Sequence, residues 1–392
     1  MHRHHFLRHL AGLAASVAAL GWAGTVHAES DTIKIGVIVP MTGQQATTGK
    51  QIDAAIKLFM AQTGGKVGGK KVEVLLRDDA GVADTTRRQA QELVVNDKVV
   101  ALAGFGLTPL ALATAPIATQ SKTPTVVMAA ATSSITAASP YIVRTSFTLP
   151  QAAVSIAEWA SKNGIKKAVT LVADYGPGVD AEKYFSSTLK LSGGQVLAEL
   201  RTPLRSPDFA PFLQRVRDAN PDAVFVFLPS GQGAAFMKQF AERGLDKAGI
   251  KLIGTGDITD DDQLNDMGDV ALGVVTAQHY SAAHNSATNK KFVDAFQKMH
   301  GFRPNFMAVG GYDGMRLIFN ALEKTKGAGG DALLAAMKGQ MFDSPRGLVL
   351  IDGQTRDVVH DIYIRKVERV NGQLYNVEFD SQKAVKDPGK TK

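Results

Sequence analysis

The 392-residue chain contains no cysteine. That excludes disulfides, thiolate metal sites, a cysteine nucleophile and the lipidated cysteine of a bacterial lipoprotein. Of nine histidines, His2, His4, His5, His9 and His27 fall in the first 28 residues, leaving His279, His284, His300 and His360. Only the weak 279/284 pair comes near helical ligand spacing, so no metal site is expected. No basic run is interleaved with aromatics, and nucleic acid is not an expected partner. Catalytic signatures are missing too. There is no G-x-S-x-G elbow to present a nucleophile. Gly43–Lys50 looks like a phosphate loop but carries one spacer residue too many, and Gln51 stands where a magnesium-binding hydroxyl belongs. Gly104-Phe105-Gly106 begins a dinucleotide fingerprint that Pro109 breaks. Asp257, Asp260, Asp261 and Asp262 lack the Gly and Glu of a calcium loop. They read as acids that cap and charge a short helix after residue 260. The expectation is a binding protein with no cofactor, and not an enzyme.

What is present begins with the N-terminus. Arg3 and Arg8 precede an apolar stretch from about Leu10 to Gly24, and Val26-His27-Ala28 fits a small-residue cleavage site. This is the three-part pattern of a secretory signal peptide, cleaved after Ala28. The stretch falls short of the roughly 20 apolar residues of a membrane-spanning helix. Export to the periplasm as a free protein, not embedded in the membrane, follows. Loss of the two arginines leaves 42 basic against 37 acidic residues, a formal charge of +5. Such a field mildly favours anionic ligands.

Along the chain, apolar runs alternate with amphipathic segments. Strands are expected at 32–40, 70–79, 99–105 and 124–130, with helices at 49–61, from Asp84 as cap to 96, and at 109–121. The rhythm resumes with helix 151–163, strand 167–173, helix 178–192 and strand 194–200. A helix and strand within 207–229, a helix at 231–243 ending near Gly244, and a strand at 251–257 follow. Two successive doubly wound α/β units result, each a parallel sheet covered by helices. Ligands of such sheets bind beyond the carboxyl ends of the strands. The loops to watch are 40–48, 104–108, 128–136, 174–178, 229–233 and 254–260. The polar tail KAVKDPGKTK is expected to fray.

GVIVPMTGQQATTGKQ, GFGLTPLALATAPIATQSKTPTVVMAAATSSIT, SPYIVRTSFT and ADYGPG, in that order, resemble the leucine/isoleucine/valine-binding-protein family. These are type I periplasmic solute-binding proteins of ABC importers. The resemblance implies two Rossmann-like lobes joined by a three-segment hinge near 145–150, 275–280 and 341–346. Lobe 1 would comprise 31–147 and 278–343, and lobe 2 148–277 and 344–392. A ligand held by both lobes would stabilise their closure, and a membrane permease would be the partner.

In this family lobe 1 holds the ligand carboxylate, and the matching positions are Thr108 and the stretch Ala129-Ala130-Ala131-Thr132. An ungapped match puts Ala131 where the hydroxyl residue usually sits, with Thr132 beside it. Hydroxyl and N–H donors at helix N-termini neutralise a carboxylate without a buried cation. Thr108 before Pro109 also suits a plain helix cap. On lobe 2, Tyr175 matches the cleft tyrosine. Pro229 replaces a second tyrosine, and Gly256 replaces the acid that pairs with an amino-acid ammonium, with Asp257 adjacent. Thr48 replaces a flanking aromatic and leaves room that Phe105, Phe147 and Met307 could line. An aromatic or other organic acid is therefore the favoured ligand, and a branched-chain or other amino acid the alternative. A sensory domain docking to a membrane partner is a second alternative, though no transmembrane helix follows Lys392.

Overall fold

The computed structural model describes residues 32–205 and 207–390. The signal peptide and its cleavage site lie outside them. The chain begins with β1 (Thr32–Val39), α1 (Ala46–Thr63), β2 (Lys66–Val67), β3 (Lys70–Asp78), α2 (Ala83–Val95), β4 (Ala101–Gly104), α3 (Thr108–Ser121), β5 (Thr125–Val127) and β6 (Ile142–Arg144). Their strands form one sheet in the order β2-β3-β1-β4-β5-β6. All of it is parallel except the short β2 edge. β1 is almost wholly buried, as a strand covered by helices on both faces must be.

A second βα series follows: α4 (Leu149–Lys162), β7 (Lys167–Ala173), α5 (Gly176–Leu191), β8 (Gln195–Thr202), α6 (Ala210–Ala219), β9 (Ala223–Phe227), α7 (Gly233–Glu242), β10 (Lys251–Thr255), α8 (Leu264–Met267) and β11 (Val275–Gln278). Their strands run β8-β7-β9-β10-β11, all parallel. Each series therefore has its first long strand flanked by the second and third, which opens a crevice at the carboxyl ends where the winding reverses. We call the two halves built on these sheets the first and second lobes.

The chain then returns to the first lobe. α9 (Ala287–His300) and α10 (Phe306–Thr325) pack on α1, and α11 (Gly330–Met337) packs on α10. It crosses once more into β12 (Met341–Ser344), β13 (Gly347–Ile351), β14 (Val358–Val370) and β15 (Gln373–Val385), which extend the second sheet antiparallel to β11. The sequence reading had not resolved these four strands. Asn371 and Gly372 both take positive φ in the two-residue turn joining β14 to β15, as a tight hairpin requires.

Two local expectations are corrected. Asp84 does not cap α2: Val82 holds that position, and Asp84 lies in the first turn paired with Arg87 at 3.0 Å. The tail does not fray through Lys390. Asp387 is buried and accepts hydrogen bonds from Ser133 Oγ at 2.5 Å and Thr148 Oγ1 at 3.0 Å, while Lys390 pairs with Asp357. These buried partners hold the tail across the start of α4. No helix among the described residues is long and apolar enough to cross a membrane.

Candidate functional site

The carboxyl ends of β1, β4 and β5 face those of β7, β9 and β10 across one cleft. Gln45 and Thr48 come from the loop and helix start after β1, Gly106, Leu107 and Thr108 from after β4, and Ala129–Ala131 from after β5. Opposite stand Tyr175 and Pro177 after β7, Phe227, Pro229 and Ser230 at the end of β9, and Asp257 after β10. Phe147 and Leu149, around the start of α4, and Met307, at the start of α10, complete the lining. The space free of atoms, open mouth included, is about 340 Å³.

The first-lobe wall is a set of donors. Beyond the end of β5 the chain bends at Met128 and Ala129. Ala130 N–H is spent on Phe105 O at 3.0 Å, whereas those of Ala129 and Ala131 meet no acceptor among the described residues. The N–H of Thr108, in the first turn of α3, is likewise without an acceptor, as helix N-termini leave their leading donors. Thr108 does not act as the N-cap: Leu107 occupies that position. Thr108 Oγ1 instead lies 2.8 Å from Thr132 Oγ1, both side chains buried. When Thr132 donates in that pair, the Thr108 proton is free for the cleft.

The second-lobe wall is aromatic and acidic. Tyr175 stacks on Phe227 with ring centroids 6.0 Å apart and planes 22° from parallel. Asp257 is 3% exposed; its Oδ2 accepts from Thr255 Oγ1 at 2.9 Å and Gln278 Nε2 at 3.3 Å. Burial pushes its carboxyl up to about 7, against the opposing pull of Thr255, its own backbone, Arg365 and Gln278. Burial, then the Asp257 charge, pushes the Tyr175 phenol well above its ordinary range. Ser230 Oγ is buried without a partner in hydrogen-bond geometry, although it lies close enough to Asp260 to favour that carboxylate's charge.

Asp257 and Asp260–Asp262 do not cap α8, which begins at Leu264 after Gln263 with no side-chain cap. Asp260 and Asp261 are almost wholly buried. Asp262 is reached by Gln51 Nε2 from α1 at 3.3 Å, and Gln263 Nε2 lies 3.4 Å from Thr47 Oγ1. These bonds join the lobes. Burial, then the Asp262 charge, raises the Asp260 carboxyl well above its ordinary range, and burial with the Asp261 charge raises that of Asp262 to about 6 against hydrogen bonds to Gln51 and Asp260. At the crossings between lobes, buried arginines meet buried acids: Arg144 with Asp357 at 2.8 Å and Arg346 with Asp313 at 2.8 Å. No cluster of side chains suited to a metal occurs among the described residues.

Residues 32–373 match the sequence profile of the periplasmic binding protein family. The chain belongs to that family. It is 44% identical over 369 residues to a Leu/Ile/Val-binding protein homolog of Brucella abortus, covering 92% of this chain and 94% of the relative. Among solved structures it is similar to a solute-binding protein of an ABC transporter from Rhodopseudomonas palustris BisB5 in complex with 3,4-dihydroxybenzoic acid. That match has 64% identity and a TM-score of 0.91, over 92% of this chain and 100% of the other. A second R. palustris solute-binding protein, in complex with 4-hydroxybenzoate, is 41% identical with a TM-score of 0.89, over 92% and 99% of the two chains. The family and these relatives are solute-binding proteins of ABC importers and not enzymes.

In this periplasmic binding protein the cleft gathers Thr48, Thr108, Ala129, Ala131, Tyr175 and Asp257 from the residues the sequence pointed to, with Phe147 and Met307. Thr132 stands behind the wall and reaches the cleft through Thr108. Phe105 is fully buried in the core cluster with Ile38, Leu93 and Ala111, and does not line the cleft. Gln45 and Ser230 fall in the loops 40–48 and 229–233 singled out from the sequence but were not named there, and Leu149 and Phe227 were not picked out at all. Phe227 and Ser230 flank Pro229, so the end of that apolar strand was the available signal. Gly256 has a specific neighbour: the Arg365 guanidinium occupies the place a side chain there would take.

Proposed function

We propose that the protein binds a benzoate-class aromatic acid in the periplasm and hands it, in the closed state, to the permease of an ABC importer. The observation that carries the ligand class is the Gly256–Arg365 pair. The family's ammonium-binding acid is absent there, and a cation fills its place. An amino acid would have to bury its ammonium near that guanidinium, and Asp257, the carboxyl that lines the cleft, already accepts from Thr255 and Gln278 and has the Arg365 charge beside it. The opposite wall suits an anionic headgroup: Thr108 Oγ1 and the open N–H groups of Thr108, Ala129 and Ala131 form a neutral cradle for a carboxylate. Between these ends, Tyr175, Phe227, Phe147 and Met307 offer flat apolar surface to a ring. The two R. palustris relatives, bound to hydroxylated benzoic acids, support the same reading.

The test is a thermal-shift panel of benzoate, 4-hydroxybenzoate and 3,4-dihydroxybenzoate beside leucine, isoleucine and valine. A ligand that binds only the native state raises the melting temperature. The aromatic acids are expected to raise it and the amino acids to leave it unchanged. The reverse ranking would replace this reading with the amino-acid one.

A further inference from the structure

The two ends of the cleft differ in what they ask of a ligand, and the second end is unusual for a site that takes an anion. Donors line the first lobe, while a nearly fully buried carboxyl, Asp257, lines the second. We propose that Asp257 makes the receptor demand a hydroxyl on the ring, by accepting a hydrogen bond from a phenol at the end of the ligand remote from its carboxylate. This rests on the site reading given above.

Three observations carry it. Asp257 uses Oδ2 for its two side-chain partners, Thr255 and Gln278, and Oδ1 accepts nothing from any other described residue. Acceptor capacity is thus left over beside the cleft. A ring bearing only C–H there would seal a carboxylate against an apolar edge, which is unfavourable; a donor reverses the sign. The donor should be neutral, because Arg365 already supplies the local positive charge. A phenol meets that requirement and an ammonium does not. Ser230, whose buried hydroxyl on the same wall lies beside Asp260, is placed to accept from a second, neighbouring ring hydroxyl.

The experiment measures dissociation constants of benzoate and 4-hydroxybenzoate for the mature protein and for Asp257→Asn and Asp257→Leu, each checked for a cooperative melt. At about pH 8, where Asp257 is ionised, the wild type is expected to prefer 4-hydroxybenzoate by roughly tenfold to a hundredfold, the range of one charge-assisted hydrogen bond. In Asp257→Leu the hydroxylated acid should weaken by about that factor while benzoate tightens. Asp257→Asn, which preserves shape and keeps an acceptor without the charge, should fall between and covers the case in which the leucine variant does not fold. A preference unmoved in both variants, or an equal loss for both acids, overturns the assignment of Asp257 while leaving the aromatic-acid reading intact. Failure of both acids to bind the wild type overturns both readings, and benzoate binding as tightly as 4-hydroxybenzoate overturns the assignment of Asp257 alone.

Discussion

Thr132 Oγ1, on the first lobe, lies 2.7 Å from the point where a β-carbon on Gly176 of the second lobe would stand. Real β-carbons do not approach other atoms so closely, so the lobes meet here at a separation that glycine alone allows. The contact lies beside the carboxylate cradle, because Thr132 is also the partner of Thr108. Closure and ligand grip therefore share a residue.

Replacing Gly176 should hold the cleft ajar. Gly176→Ala is expected to weaken aromatic-acid binding by roughly tenfold, a cost of about 1.4 kcal/mol. In a Thr132→Ala background, where the clashing hydroxyl is gone, the same change should cost much less. Titration calorimetry of the four proteins gives the coupling, and simple additivity would show that the contact does not limit closure.

Thr108→Val removes the donor while keeping the shape. A hydrogen bond to a charged group contributes about 1.5–3 kcal/mol, so affinity should fall by roughly tenfold to a hundredfold. Thr132→Ala, which only orients that donor, should cost less. Equal affinities for wild type and Thr108→Val would remove Thr108 from the grip.

The ligand-free protein should carry the signature of Asp257 in its pH dependence. Its carboxyl rises from 3.8 to about 7 on folding, chiefly through burial, with Arg365 opposing the rise and the neutral Tyr175 phenol beside it. A raised folded-state value means that its stabilising contribution is complete below the unfolded value and is lost as pH climbs through about 7. Asp257→Asn should therefore melt above the wild type at about pH 8 and converge with it near pH 4. A constant difference across that range would show that residue 257 does not titrate as described.

Much of this was legible from residue patterns. Buried strands such as β1 and β9 are continuous apolar runs, and their alternation with amphipathic helices fixes the doubly wound topology and hence the six loops that meet at the cleft. The C-terminal strands were harder to see. β14 and β15 carry many charges on partly exposed faces, which masks their period, although the Asn371-Gly372 turn was a usable signal. The cap reading weighed for Thr108 and given to Asp257 fails: both types favour caps, but here tertiary partners, Thr132 and the Thr255–Gln278 pair, set where they point. Nor does spacing reveal that Arg365, more than a hundred residues downstream, fills the space beside Gly256.

The tail offers a test of the frame. Asp387→Ala leaves the buried Thr148 and Ser133 hydroxyls without their carboxylate, which should cost about 1–3 kcal/mol. Urea denaturation would register it as a lower midpoint at unchanged slope. No change would mean that the tail contributes nothing to stability.

The central claim is a cleft that takes the carboxylate on one lobe and closes the other over an aromatic ring. Titration calorimetry of the mature protein with 4-hydroxybenzoate, repeated in saturating leucine, tests it most directly. The account predicts one saturable site whose affinity leucine does not alter. Heat from leucine alone, with none from the aromatic acid, would contradict it.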